Sequence, residues 1–483
     1  MKKVFLFAAS LFICFGAEAG NKIKYYFNQP VDTSVATFEK AIYLNTCSAD
    51  TLAAYLKRAK YSLDICIYDF EKTYSYNIST VDTTFAPEVA AAINSAYARG
   101  VKVRIIYEAS NANTGLSLLD SGIHTLGSPQ GHNYTIMHNK FVVIDAASPD
   151  NNDPVVWTGC MNWYYEQFNW DFNNIVVLQD SALASAYTAE FNMMWGDTGI
   201  NPNLTASKFG QFKTDLGLHN FTIDGNHIEL YFSPSDHTDT HIQSTIETAN
   251  TDLYFGMYDF TEVTDANDII IRSDSGVYVA GIGDSYTVGY YPAILNTLGS
   301  KFKIYNGTDT TLYHNKFMIV DPSDTCSDPI VLTGSHNWTT SANTKNDENT
   351  LIIHNDTAAN LYLQYFKATF NSLGGTLTPQ KGCRTSDSNT SVKTIYENDF
   401  SARIYPSPST GNITISCQLP SACNVSFEIV NELGQTVKTI GDHYVQQPGK
   451  YSVTSFIDMP GVYVAKITAG NNVIYKRFII ARM

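Results

Sequence analysis

An α/β protein of two homologous halves, followed by a small C-terminal β-sandwich, is what this 483-residue sequence predicts. Three observations carry the prediction. Chemistry-bearing segments recur at a nearly constant offset, and short β-type runs alternate with helical patterns inside each repeat. Residues 402–483 then change to alternating strands separated by Gly, Pro and Asn, the pattern of a sandwich.

Composition agrees with several folded units. Hydrophobic residues make up 44% of the chain and charged ones 16%, which excludes a disordered or collagenous protein. Acidic groups outnumber basic ones 46 to 31, and the formal net charge of −15 counts against a coat for nucleic acid, which needs a basic footprint. Segment 402–483 holds seven Lys/Arg against four Asp/Glu, so the acidity belongs to the repeats.

From the N-terminus, Lys2 and Lys3 precede an apolar run from Val4 to Phe15 and an Ala17-Glu18-Ala19 cleavage site. This reads as a secretory signal peptide over 1–19. The run is shorter than the ~20 residues a bilayer span needs, and no later one is longer, so no integral membrane segment is expected. Residues 20–200 and 201–380 are the two halves, 381–401 a polar linker and 402–483 the sandwich. Thr51–Ala59 and Pro87–Arg99 read as helices beside strands at 62–68 and 101–108, with late helices at Ala182–Trp195 and Ala358–Phe370. Removing Cys14 leaves seven cysteines: Cys417 and Cys423 could bridge, Cys326 and Cys383 are loop candidates, and Cys66 reads as core.

The repeats themselves are specific. Tyr68-Asp69-Phe70 returns as Tyr258-Asp259-Phe260, MHNKFVVID (137–145) as YHNKFMIVD (313–321), and WTGCMNW (157–163) as LTGSHNW (332–338). The histidines lie 176 positions apart and the Tyr-Asp-Phe tyrosines 190, so the first half carries about 14 extra residues between Glu71 and Pro87. The apolar runs FVVI and FMIV make each H-x-K-x4-D motif a strand, on which residues two apart share a face. His138 with Lys140, and His314 with Lys316, therefore point one way, toward substrate. Asp145 and Asp321, at odd spacing, face the other side; they complete the catalytic set of each motif as its supporting members.

This doubled motif, with its downstream Gly159, Asn162 and Gly334, Asn337, resembles the phospholipase D superfamily over about residues 45–375. The resemblance implies halves related by a pseudo-twofold axis, both motifs meeting at one site, and a phosphodiesterase with no metal or other cofactor. It implies His138 as nucleophile and His314 as general acid, with Lys140, Lys316, Asn162 and Asn337 on the phosphate oxygens. The family also places an acidic residue after each motif to orient a histidine. Glu348 stands there in the second half, behind His314, and Asn173 in the first half, behind His138. Two imidazoles suit the chemistry: one attacks phosphorus, the other protonates the departing alkoxide and then activates water. His124 and His132 beside His138 could suggest a metal, but without HExxH or paired cysteines they read as loop histidines.

The tail (IYPSPSTGNITIS, VNELGQTV, PGVYVAKI, YKRFII) resembles the type IX secretion C-terminal sorting domain, with Ser407 where that family has Asn. The expectation is an exported, metal-independent enzyme, a monomer, acting on phospholipid, with the type IX machinery as the tail's partner. A secreted nuclease acting on nucleic acid is the alternative substrate reading. A catalytically inactive surface-binding protein is the alternative of another class.

Overall fold

The computed structural model describes residues 21–72, 85–131, 135–286, 292–307, 311–324, 327–377, 401–405, 409–419, 422–431, 435–446, 449–470 and 472–480. The expected signal peptide, most of the extra segment after Glu71, the linker up to residue 400, His132, Ser407, Cys14, Cys326 and Cys383 lie outside them. Contacts divide the chain into residues 1–385 and 386–483.

Apolar runs in the first half become β1 (Ile23–Phe27), β2 (Ile42–Tyr43), β3 (Ser62–Ile67), β4 (Lys102–Tyr107), β5 (His124–Gly127), β6 (Phe141–Ile144), β7 (Val155–Gly159) and β8 (Asn174–Leu178). Helices α1 (Ser48–Leu56), α2 (Phe85–Ala98), α3 (Tyr165–Asn169) and α4 (Ser181–Trp195) join them. The second half supplies β9 (Asn220–Ile223), β10 (Asn226–Ser233), β11 (Asp252–Met257), β12 (Tyr278–Asp284), β13 (Phe302–Tyr305), β14 (Lys316–Val320), β15 (Ile330–Gly334) and β16 (Glu348–His354). Its helices are α5 (Thr238–Glu247), α6 (Val263–Asp274), α7 (Pro292–Leu298), α8 (Thr340–Thr344) and α9 (Asp356–Ser372).

Each half is an eight-stranded mixed sheet, ordered β2-β1-β8-β7-β6-β3-β4-β5 and β13-β12-β11-β14-β15-β16-β10-β9. Read from opposite ends, seven strands correspond, from β1 with β10 through to β5 with β13. The outermost strands differ: β2 pairs parallel with β1, whereas β9 pairs antiparallel with β10. The repeated glycines of the downstream motif have one cause. Gly159 and Gly334 end β7 and β15 at φ +150° and +152°, and a Cβ there would sit 2.3 and 2.1 Å from the carbonyls of Asn174 and Asn349. Helices α4 and α9 start on equivalent caps, Asp180 accepting from Leu183 N and Asn355 from Ala358 N.

The central core lies between the sheets, where α4 and α9 pack. There the halves interlock reciprocally: Phe27 meets the ring of Tyr362 edge-on at 5.1 Å, and Phe232 meets Tyr187 at 5.2 Å. Outer cores sit under α1 and α2 on one sheet and under α5, α6 and α7 on the other. Cys66 is fully buried in the central core.

Among the described residues of 386–483, seven strands make two sheets. β17 (Ser401–Tyr405), β18 (Asn412–Leu419) and β21 (Gly449–Phe456) form one. The other holds β20 (Thr436–Gln446), β19 (Cys423–Asn431), β22 (Gly461–Ala469) and β23 (Asn472–Ile480). Ser401, read as linker, opens the first strand. Alternate residues of β22 are buried, and with Ile413, Ile415, Phe427, Ile429 and Phe478 they fill the sandwich core. Cys417 and Cys423, which could have bridged, are both free, Cys417 pointing into the core from β18 and Cys423 half-buried at the start of a strand in the other sheet.

Candidate active site

The two H-x-K motifs enter the site from equivalent places. His138 and Lys140 lie in the segment leading into β6, which starts only at Phe141, and His314 stands two residues before β14. The strand therefore supports the motif from behind. Cross-half backbone hydrogen bonds set the position of each segment: His138 N donates to Asp347 O at 2.9 Å and Phe172 N donates to Leu312 O at 2.8 Å.

The orienting partners are exchanged between the halves. His138 Nδ1 lies 2.8 Å from both oxygens of Glu348, and His314 Nδ1 lies 3.0 Å from Asn173 Oδ1. The sequence expectation, each residue behind the histidine of its own half, is corrected by these contacts. Glu348 follows His314 by 34 residues and Asn173 follows His138 by 35, so chain position alone cannot distinguish a partner in the same half from one across the interface. The halves also differ where Cys160 in the first stands for Ser335 in the second, and this difference belongs with the exchange of Asn173 for Glu348. Ser335 Oγ donates to Glu348 Oε2 at 2.7 Å, and in the same place Cys160 Sγ contacts Asn173 Oδ1 at 3.3 Å.

All four basic side chains of the motifs are buried together. Burial, then the charge of Lys140 and Lys316, holds His138 well below the usual histidine range. Burial, then Lys316 and Lys140, does the same to His314. Each neutral ring donates Nδ1–H to its partner, so Nε2 keeps its lone pair. Lys140 Nζ donates to the His138 carbonyl at 2.7 Å, and Lys316 Nζ to the His314 carbonyl at 2.9 Å and to His314 Nε2 at 3.2 Å. Burial pulls Lys316 down to about 8 and Lys140 well below its ordinary value. The side-chain oxygens of Asn162 and Asn337 are buried with no hydrogen-bond partner among the described residues. Such atoms cost about 1–3 kcal/mol unless a ligand supplies the partner.

Asp145 and Asp321 stand apart, although the sequence grouped them with the catalytic residues. Asp145 accepts the backbone amides of Lys60, Tyr61 and Ser62 at 2.7–3.2 Å, and Asp321 accepts those of Asn250, Thr251 and Asp252 at 2.8–3.1 Å. Both end their strands with positive φ, 58° and 48°. They pin the turn that launches β3 or β11, on the order of 15 Å along the strand from the lysine.

A sequence profile described as "Cardiolipin synthase, PLD-like domain" matches residues 52–195 and 242–370, more than half of the chain. The chain belongs to the phospholipase D-like family. Residues 403–481 match a "Secretion system C-terminal sorting domain", the mark of export by type IX secretion. The chain is similar to a mitochondrial cardiolipin hydrolase of Xenopus tropicalis, 29% identical over 148 residues (30% of this chain, 59% of that one). It is also similar to that of Mus musculus, 26% identical over 152 residues (31% and 58%). The match thus spans under two thirds of the length of these relatives. Among solved structures, phosphatidylserine synthase of Haemophilus influenzae aligns with 73% of this chain and 88% of its own at 12% identity, with a TM-score of 0.49. No helix among the described residues is long and apolar enough to cross a membrane.

This phospholipase D-like site includes residues that the sequence reading passed over. Tyr68 and Tyr258, from the Tyr-Asp-Phe repeats, cover the motif rings. Tyr68 lies 4.7 Å from His138 and 4.9 Å from Lys140 Nζ, and Tyr258 lies 5.1 and 5.0 Å from His314 and Lys316. The repetition was a usable signal, since a repeat outside the motif still marks a shared role. His336, where the first half has Met161, is buried beside Glu348, and burial lowers its pKa. Behind Glu348, buried Lys213 joins Asp347 at 3.0 Å and Glu190 at 2.5 Å, anchoring the start of β16. Nothing in the sequence marked Lys213, because its two partners lie in different halves.

Proposed function

We propose that the protein is an exported phosphodiesterase that hydrolyses phospholipids through a phosphohistidine, without a metal ion. One observation carries this reading: the two motif histidines share a buried site but have different partners, a carboxylate for His138 and an amide for His314. A carboxylate stabilises the positive charge that an imidazole gains when Nε2 bonds to phosphorus. An amide does not, and leaves the other imidazolium readier to release its proton.

In this mechanism His138 Nε2 attacks phosphorus, the ester bond to the leaving alkoxide breaks, and His314 Nε2–H gives that alkoxide its proton. His314 then takes a proton from water, whose oxygen displaces His138 from phosphorus. His314 takes its first proton from solvent when substrate enters, because the phosphodiester anion offsets the two ammonium charges that keep the free ring neutral. Lys140 and Lys316 supply charge to the non-bridging oxygens. Rotation of the Asn162 and Asn337 amides presents their NH2 groups to the same oxygens. The phospholipid class is favoured by the names of the family and of its cardiolipin-hydrolysing relatives. The net charge of −15 adds to this, since it disfavours polyanions outside the pocket. The expected route is a signal peptide at 1–19 followed by type IX export.

The test is a substrate panel on the purified chain with excess EDTA: cardiolipin, phosphatidylethanolamine or phosphatidylcholine vesicles, and DNA. Headgroup alcohol should appear from lipid with EDTA present. Turnover of DNA alone would overturn the lipid assignment, and loss of all turnover in EDTA the metal-free one.

A further inference from the structure

Five of the eleven histidines of this chain, His219, His227, His237, His241 and His354, belong to β9, β10, β16, α5 and the adjoining turns, outside the proposed catalytic set. Three groups there converge. His227 and Glu229 lie two apart on β10 and so share a face, and His354 on β16 is the direct cross-strand partner of His227. One ligand atom from each of His227, Glu229 and His354 lies within 4.8 Å of the other two. We propose that these three residues form a zinc(II) site, with water completing a tetrahedral shell, on the outer face of the second sheet.

Each ligand already has the outer partner that a metal ligand needs. His354 Nδ1 donates to Asp328 Oδ2 at 2.7 Å, leaving Nε2, 3.0 Å from Glu229 Oε1, for the metal. His227 Nε2 lies 3.0 Å from Asn220 Oδ1, which fixes the orientation of the ring beside the other two ligands. Tyr231 donates its hydroxyl to Glu229 Oε2, and its ring is clamped by His241 at 3.5 Å and His219 at 5.0 Å. Binding exchanges the His354 Nε2 proton for the metal, and that proton leaves to solvent.

Two imidazoles and one carboxylate suit zinc. Calcium and magnesium want six or more oxygens, and a site with no cysteine disfavours copper(I). The duplication provides an internal control. Phe27 pairs with Asn174 as Phe232 pairs with Asn349, and counting back along the strands puts Lys22, Lys24 and Gln179 at the three corresponding positions of the first half. The fold alone therefore does not require this triad. It lies six residues along β16 from Glu348, on the order of 20 Å from the catalytic pair, so a bound ion would clamp β10 to β16 without touching substrate.

The test uses the full chain, without an affinity histidine tag, stripped with EDTA and dialysed against zinc(II). One zinc per chain is expected by elemental analysis, with a rise in the thermal midpoint. His227→Gln and His354→Gln should each abolish both effects, with far-UV circular dichroism unchanged. Asp328→Ala should weaken binding by about 10- to 100-fold. Absence of tight zinc binding would overturn the proposal, as would full binding in the His354→Gln protein. So would loss on His219→Gln instead, which would move the ion to the neighbouring Asp215–His219–Asp236 group. Should the variants fail to fold, the cobalt(II) form of the unmodified chain decides: paramagnetically shifted imidazole protons from two histidines support the site, and none overturn it. Phosphodiester turnover in EDTA reports on the catalytic proposal alone, so the two fail independently.

Discussion

The two halves share seven corresponding strands, the same motif and the same turn-pinning aspartate, yet they back each other's histidines differently. The second half presents Glu348 with Ser335 to His138, and the first presents Asn173 with Cys160 to His314. Each pair differs as a unit, a charged acceptor with a hydroxyl donor against a neutral acceptor with a weak thiol donor. Duplication preserved the scaffold that brings the rings together. The difference between the backing pairs is what can give two identical side chains separate tasks.

The largest expected effects come from the histidines. His138→Ala should lower turnover by about 10⁴-fold or more and form no covalent adduct. His314→Ala should lose comparable activity on lipid, yet still form a phosphoenzyme from a diester with a good leaving group, detectable by mass spectrometry. An adduct on His314 in the unmodified protein would reverse the assignment. Next, Glu348→Gln should cost roughly 10²- to 10⁴-fold and Asn173→Ala about 10-fold, both in single-turnover rates. Equal losses would break the proposed division.

The pH profile sharpens the same contrast. Lys316 is charged below about 8 in the free protein, so kcat/KM should fall as pH rises through that value. The limb in kcat should lie higher, because bound phosphate favours the ammonium. Installing the second half's pair in the first, Cys160→Ser with Asn173→Glu, should place a carboxylate on His314 and raise its pKa. The kcat profile then shifts upward in pH.

The smallest effect concerns the aspartates. Asp145→Asn and Asp321→Asn should each cost about 2 kcal/mol by denaturant unfolding. Asp321 should lose more, because Ser327 Oγ also donates to it at 2.6 Å. If either change lowers turnover far more than stability, these residues act in chemistry and the division between support and site fails.

Much of this was legible in the chain. The α/β class, the duplication and the tail sandwich followed from periodicity and repetition, because burial on one face of a strand or helix imposes its period on the sequence. The two-residue spacing marked His138 with Lys140 and His314 with Lys316 as neighbours, although both histidines and Lys140 precede the strands, so strand alternation is not what brings them together. The aspartates stood out by their odd spacing. Tyr68 and Tyr258 were visible as repeats and lacked only a role. Lys213, His336 and the His227–Glu229–His354 group were invisible, since their partners are distant in sequence and no local period marks them.

Sequence by itself therefore determined what each half is: its elements, its chemical groups and the face of the chain on which they stand. Those follow from local geometry, which repeats wherever the residues repeat. Which half serves which histidine was decided only by tertiary structure. The segments before β6 and β16 bond across the interface, His138 N to Asp347 O at 2.9 Å. That contact delivers Glu348 to the opposite histidine, a choice that no spacing along a single strand encodes.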